Sequence, residues 1–498
     1  MSEIRKQSIL STGVIYAGFV VGLLNIYLFT KQGLFTEEEF GLYNAFIAIA
    51  NLLAAGANLG APFFIYKFYP YYRDHLRFEK NDQLSVSILL GALGLIATIA
   101  LGLYLEPLVI KKYGTNAPQL TNYYHWTFIL GAGLLFFNIL EAWNWQQQRV
   151  ATSHFLKEAG WRLLVLLLIG CFALGYIGSY DLFIKLFTFS YPFIAIALLL
   201  ILIFRKQAPF SKPFSRVSLR LKRSAFRYTS FTYSGTLIFT ISQVFDTVLI
   251  ASVLSNAMVK VAIYSMAQNM ASLVQVPQRG VAAASIAPLS SAWKRKDKDT
   301  IAKIYTRTSI NQLIIGAGLL AMLAINYADA VAAFHLKPTY LEAFTVVLLL
   351  GMTKLIDMGT GVNSQIIITS PKWRMEFISG VILLLIMLPL SYWLTKEKGI
   401  IGTALAQLIS IGCYNLFRIF LLWKEYSMQP FSIKTLYTLL LAAGAWALCY
   451  FLYQNWSGWT ALFLQSLTFL LVYLLGIYRL RLTPDLPEML DALKKRFS

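Results

Sequence analysis

The sequence predicts an all-α polytopic membrane protein: fourteen transmembrane helices forming two six-helix lobes in a parallel repeat, plus two C-terminal helices. Three observations predict it. The 498 residues are 57% hydrophobic and only 13% charged, against about a quarter charged in soluble domains. Apolar segments of the ~20 residues a spanning helix needs fill nearly the whole chain. The loops between them alternate between strongly basic and nearly uncharged.

The first segment, 8–30, follows Arg5 and Lys6. It is too long for a signal h-region and lacks a small-residue cleavage site, so it reads as an uncleaved helix. The others are 41–66, 84–105, 119–141, 158–178, 181–204, 225–254, 257–290, 301–325, 341–368, 375–395, 399–423, 433–453 and 459–478. Their length argues for helices, since barrel strands would be short, with alternating polarity. Cys171, Cys413 and Cys449 all lie inside apolar segments without pairing, as packing residues do.

Net charge is +20, and its placement gives it meaning. Thirty-one basic residues fall on the side holding the N-terminus; the opposite side has seven, Lys31, Lys111, Lys112, Lys260, Lys337, Lys396 and Lys398. The positive-inside rule then puts both termini in the cytoplasm, as a multi-pass protein of the cell membrane with an even number of spans. Orientation accounts for the charge without a nucleic-acid partner. Arg205 to Arg227 holds no acid, and the spacing of Phe210, Phe214, Val217 and Leu221 predicts an amphipathic segment on anionic lipid headgroups. A second such piece ends the chain, with Leu486, Met489, Leu490, Leu493 and Phe497 on one face beside Lys494, Lys495 and Arg496.

Adding 221 to a residue number lays segments one to six onto seven to twelve without gaps. Six helices per copy give both copies one orientation, with the symmetry axis along the membrane normal. The resulting division is an N-terminal lobe (1–204), a basic cytoplasmic linker (205–224), a C-terminal lobe (225–424), and helices thirteen and fourteen with the tail (425–498). The repeat maps Gly56 onto Pro277, Asn58 onto Arg279 and Asn25 onto Asp246. Gly and Pro weaken a helix ladder, so helices two and eight are expected to bend at equivalent depths; the alternative is that Gly56 and Gly60 serve close packing.

Ionisable groups within the membrane each need a partner or an aqueous path. Local spacing pairs Glu158 with Arg162, Asp181 with Lys185, and Lys354 with Asp357. Arg279 has no acid within helical reach and lies in the polar run Gln275-Val276-Pro277-Gln278-Arg279-Gly280. It is a candidate anion contact, because a guanidinium binds phosphate oxygens bidentately; a bridge to Asp246 is the competing reading. Lys354 is the second candidate anion contact. Asn25, Asp246, Gln275, Gln278 and Asp357 are candidates for cavity polarity or ion coupling. No Walker A, HExxH or GxSxG sequence occurs and the four histidines are isolated, which leaves no enzyme constellation, cofactor or metal site to assign. Energy must then come from an ion gradient, the membrane potential or downhill substrate flow.

Phe35-Thr36-Glu37-Glu38-Glu39-Phe40-Gly41-Leu42-Tyr43, between the first two helices, predicts a Thr36–Glu39 capping box and a close helix contact at Gly41. It resembles the junction of Wzx-like polysaccharide flippases, members of the multidrug/oligosaccharidyl-lipid/polysaccharide (MOP) exporter superfamily. With the 6+6+2 arrangement and basic linker, the resemblance covers essentially the whole chain. It implies translocation of an undecaprenyl-pyrophosphate oligosaccharide from the inner to the outer leaflet for surface polysaccharide such as O-antigen, with H⁺ or Na⁺ as a possible coupling ion and polysaccharide assembly proteins as possible partners. Where such proteins often carry Arg near the end of helix one, this chain has Thr30-Lys31, and helices one and two lack the arginines of lipid II flippases. The first is a departure from the resembled family's pattern; the second counts against a peptidoglycan precursor. The alternative is an ion-coupled multidrug or organic-cation antiporter of the same superfamily, which would have to rely on Asp246 or Asp357.

Overall fold

All the regular structure is helical among residues 3–147 and 149–483, which the computed structural model describes. The chain divides into two compact units, Met1–Ala262 and Ile263–Ser498. The first contains α1 (Glu3–Thr30), α2 (Glu37–Ala57), α3 (Ala61–His75), α4 (Gln83–Tyr113), α5 (Pro118–Asn122), α6 (Tyr124–Gln146), α7 (Val150–His154), a π-turn (Phe155–Gly160), α8 (Trp161–Ala173), α9 (Tyr180–Thr188), α10 (Ser190–Phe204) and α11 (Arg216–Val253). The chain passes along α12 (Ala257–Arg295) into the second unit, with α13 (Lys298–Ala333), α14 (Phe344–Gly359), α15 (Asn363–Thr369), α16 (Arg374–Tyr426), α17 (Ile433–Tyr453) and α18 (Gly458–Arg479).

Nine helices among the described residues are long and apolar enough to cross a membrane. Several predicted spans are interrupted. Segment 41–66 breaks between α2 and α3 at Leu59 and Gly60, whose φ angles of 44° and 79° are left-handed. This break lies just beyond Gly56, whereas α12 runs uninterrupted through Pro277. Segment 341–368 divides between α14 and α15, and 158–178 begins in the π-turn. The amphipathic tail predicted over 486–497 lies outside the described residues.

Segments 375–395 and 399–423 merge into the 53-residue α16. A straight helix of that length would measure about 80 Å, far beyond a bilayer. Instead the chain reverses at Gly399 (φ 60°, ψ −143°). Thr395 and Thr403 hydroxyls meet at 2.8 Å across the turn, and Lys372 pairs with Glu425 at 2.5 Å at the far end. A Cβ at Gly402 would overlap the Leu394 carbonyl, so that position closes the hairpin.

The predicted Thr36–Glu39 capping box is present: Thr36 N donates to Glu39 Oε2 at 2.7 Å, and Glu39 N to Thr36 Oγ1 at 3.2 Å. Phe35, Phe40 and Tyr43 join Phe29, Phe183 and Phe187 in one aromatic cluster. A Cβ at Gly41 would overlap the Met258 carbonyl oxygen, which confirms the close contact expected there. The motif is therefore a packing and capping device.

The core of the first unit surrounds Trp143 of α6 with Ile65, Leu84, Ile194 and Leu198. In the second unit, α17 and α18 pack on α13 through Ala442, Ala445, Phe469 and Tyr473. The repeat starts its second lobe at residue 225, but the packing boundary falls at Ala262. α11 lies against α2 and α3: Tyr233 Oη donates to the Gly56 carbonyl at 2.7 Å, and Gly60 leaves room for Thr229. A second difference concerns the linker. Val217 and Leu221 pack against Phe64, Phe68 and Tyr72 of α3, so only part of the predicted amphipathic face is available to headgroups.

Candidate functional site

The second unit gathers its polar residues on α12, α14, α15 and α16. Gln275 and Gln278 stand one turn apart on α12 and flank Pro277. Both side-chain amides donate to Asp357 Oδ2 of α14, at 2.9 and 3.0 Å. Asn415 Nδ2, from the second arm of the α16 hairpin, donates to Asp357 Oδ1 at 3.3 Å. Three of the residues selected from sequence thus meet at one carboxylate. Its partners are amide donors instead of Lys354, the neighbour that i,i+3 spacing favoured.

From Asn415 the network continues toward the other arm of the hairpin. Thr360 Oγ1 and Asn363 Nδ2 donate to Asn415 Oδ1 at 3.0 and 2.9 Å. Arg418, only 3% exposed, reaches Asn363 Oδ1 at 3.4 Å and forms an ion pair with Glu376. Its guanidinium carbon lies 3.9 Å from the centre of the Tyr414 ring, a cation–π contact. Ser364 Oγ also donates to Glu376, at 2.8 Å. Buried charge is tolerated when paired and hydrogen-bonded; Arg418 meets that condition, and half-buried Glu376 meets it through Oε1.

Arg279 follows Gln278 on α12, is exposed, and makes no ion pair among the described residues. Lys354 is half-buried one turn before Asp357 on α14. These two are the cations proposed as anion contacts.

In the first unit, Asp246 of α11 is 1% exposed, and Asn25 of α1 is buried with its amide donating to the Arg162 carbonyl at 2.9 Å. Two ion pairs meet at the π-turn. Lys157 on that turn pairs with buried Glu141 of α6 at 2.8 Å, and Glu158 with Arg162 at 3.0 Å. The second pair follows the predicted i,i+4 spacing, as does Asp181–Lys185 at 2.7 Å. The Lys157–Glu141 pair spans 16 positions, beyond the reach of local helical spacing. A π-turn is a strained insertion that recurs at functional positions, and Gly18 allows α1 to approach it, since a Cβ there would overlap the Glu158 carbonyl.

Comparison with solved structures identifies the fold. A lipid II flippase, MurJ, in an inward closed conformation superposes with a TM-score of 0.72 at 16% identity, covering 94% of this chain and 98% of that one. An inward-facing multidrug resistance MATE family transporter of the MOP superfamily gives 0.65 at 13% identity, covering 84% and 98%. A MOP superfamily transporter from Pyrococcus furiosus gives 0.55 at 14% identity, covering 86% and 96%. Comparison with curated protein sequences returns no match. The fold is thus the multi-pass helical fold seen in these membrane transporters. The model of the family described as polysaccharide biosynthesis protein matches residues 4–294, more than half of the sequence, and the chain belongs to that family.

Proposed function

We propose that the protein is a flippase that moves an undecaprenyl-pyrophosphate-linked oligosaccharide from the inner to the outer leaflet of the cytoplasmic membrane, for export of surface polysaccharide. In this reading fourteen spans form two six-helix lobes that alternate access, with both termini cytoplasmic and the last two helices appended. Family membership supports the substrate class. The observation that carries the charge preference is Arg279, an exposed guanidinium with no ion-pair partner among the described residues, beside a polar run whose acid is already occupied by amides. Arg279 and Lys354 are the proposed contacts for pyrophosphate oxygens.

A second reading, an ion-coupled exporter of organic cations, draws support from Asp357. Its carboxylate is held by neutral donors, so its negative charge is available to a proton, Na⁺ or a cationic substrate. The readings combine if Asp357 couples an ion to movement of the anionic lipid.

Reconstitution with a fluorescent undecaprenyl-pyrophosphate oligosaccharide tests both. Arg279→Ala is expected to slow translocation at least tenfold, about 1.4 kcal/mol, with Arg279→Lys between it and wild type. Equal rates for wild type and Arg279→Ala would remove the guanidinium from the mechanism. Transport of cationic dyes without the lipid-linked glycan would favour the antiporter.

A further inference from the structure

The segment between α10 and α11, with the start of α11, has a use that translocation does not absorb. Its eight cations, Arg205, Lys206, Lys212, Arg216, Arg220, Lys222, Arg223 and Arg227, are all exposed, and none makes an ion pair among the described residues. No acid occurs in the stretch. α11 has 38 residues, about 57 Å of helix at 1.5 Å per residue. That exceeds the ~30 Å of bilayer hydrocarbon, so its basic first turns extend past the apolar layer.

The stub is held to the first unit by a built junction. Asp82, fully buried between α3 and α4, accepts from Ser215 N and Ser218 Oγ through one oxygen, both at 2.7 Å. Tyr72 Oη meets Ser218 Oγ at 2.7 Å. Phe214, in left-handed backbone at φ 72°, turns the chain into this cap. Val217 and Leu221 face α3, so the helix presents its cations on the remaining faces. Phe210, Phe214, Leu219 and Phe226 are more than half exposed among them. Fixed cations interleaved with exposed aromatic and aliphatic side chains match a headgroup layer: the cations meet phosphates and the apolar groups enter the acyl boundary.

We infer that this surface is a binding platform for anionic phospholipid headgroups of the cytoplasmic leaflet, locked in place by Asp82. The cytoplasmic placement rests on the topology proposed above; the lipid preference does not depend on what is flipped. Attraction of a basic cluster to anionic headgroups is electrostatic and falls with salt.

The test uses the full-length protein in phosphatidylcholine nanodiscs containing a trace of spin-labelled phosphatidylglycerol or spin-labelled phosphatidylcholine. Wild type is expected to restrict the anionic probe about threefold or more over the zwitterionic one at low salt, with the preference lost at high salt. The combined variant Lys212→Gln, Arg216→Gln, Arg220→Gln, Arg223→Gln changes only exposed side chains and leaves four linker cations for orientation; its preference is expected to approach unity. Asp82→Asn is expected to reduce the preference without removing a cation. An equal preference in wild type and the fourfold variant, or a wild-type preference insensitive to salt, would overturn the inference. Competition by inorganic pyrophosphate at constant ionic strength would also overturn it, by marking a phosphate-chelating site instead of a lipid surface.

Discussion

The two units handle charge in opposite ways. Around the π-turn of the first, acids and bases are matched: Glu141 with Lys157, Glu158 with Arg162. In the second, one buried pair, Arg418 and Glu376, sits beside a carboxylate held by amides and an arginine with no ion-pair partner among the described residues. A matched cluster joins helices and returns its charges to near neutrality. An unmatched one keeps charge available, at a cost in stability, and membrane proteins retain such residues for ligands, ions or protons. Under the proposed function, the first cluster serves as scaffold and the second is the one that acts in transport.

The largest expected effect comes from breaking the anchor of the second unit. Arg418→Ala leaves Glu376 and Asn363 without their shared donor and removes the ring contact with Tyr414. Losing one partner of a buried pair costs about 3–5 kcal/mol; partial water access to Glu376 puts this site at about 3 kcal/mol. Thermal unfolding in mild detergent should show it, and a midpoint unchanged from wild type would make the network ornamental.

Next is the matched pair of the first unit. Glu141→Ala strands Lys157, whose side chain keeps some exposure, so the expected loss is about 2 kcal/mol. Combining Glu141→Leu with Lys157→Met should recover much of that loss while translocation stays near the wild-type rate. A double variant that is stable but inactive would move the first cluster from scaffold to mechanism.

Third, Asp357→Asn tests the unmatched carboxylate. The substitution keeps the volume but turns one acceptor into a donor facing Gln275 or Gln278. Translocation driven by an ion gradient is expected to fall about tenfold, about 1.4 kcal/mol of barrier. Downhill exchange without a gradient should fall much less; an equal fall in both assays would make Asp357 a substrate contact and not a coupling group.

The legibility of these features followed sequence distance. The Thr36–Glu39 box, Glu158–Arg162 and Asp181–Lys185 lie within one helical turn, where spacing alone dictates contact. Gln275 and Gln278 were selected because polar residues around a proline in an apolar helix are conspicuous, but nothing local named Asp357 as their joint partner. Lys157 reaches Glu141 across 16 positions, Arg418 reaches Glu376 across 42, and Asp82 holds Ser218 across 136. Those contacts depend on where helices reverse and how they pack, at Gly399 for the second and at the α3–α4 junction for the third. The apolar spacing of Val217 and Leu221 was read correctly as one face, but whether α3 or lipid covers it is a tertiary matter.

The smallest effect probes the junction before α13, away from both clusters. Asp297 caps that helix: its carboxylate accepts from Thr300 Oγ1 at 2.7 Å and Thr300 N at 3.0 Å. The Thr300 side-chain and backbone hydrogen bonds hold its pKa below the ordinary carboxylate value. A depressed folded-state pKa means that the ionised cap stabilises the protein fully above the unfolded-state value, and that this contribution fades as pH falls through the lower, folded value. Wild type and Asp297→Ala should therefore differ slightly in unfolding midpoint at neutral pH, and converge in acid below the ordinary carboxylate range. A gap that persists unchanged in acid would assign the cap's contribution to geometry alone, and a midpoint shift as large as that of Arg418→Ala would show that the contrast between the clusters does not rank the stability of this molecule.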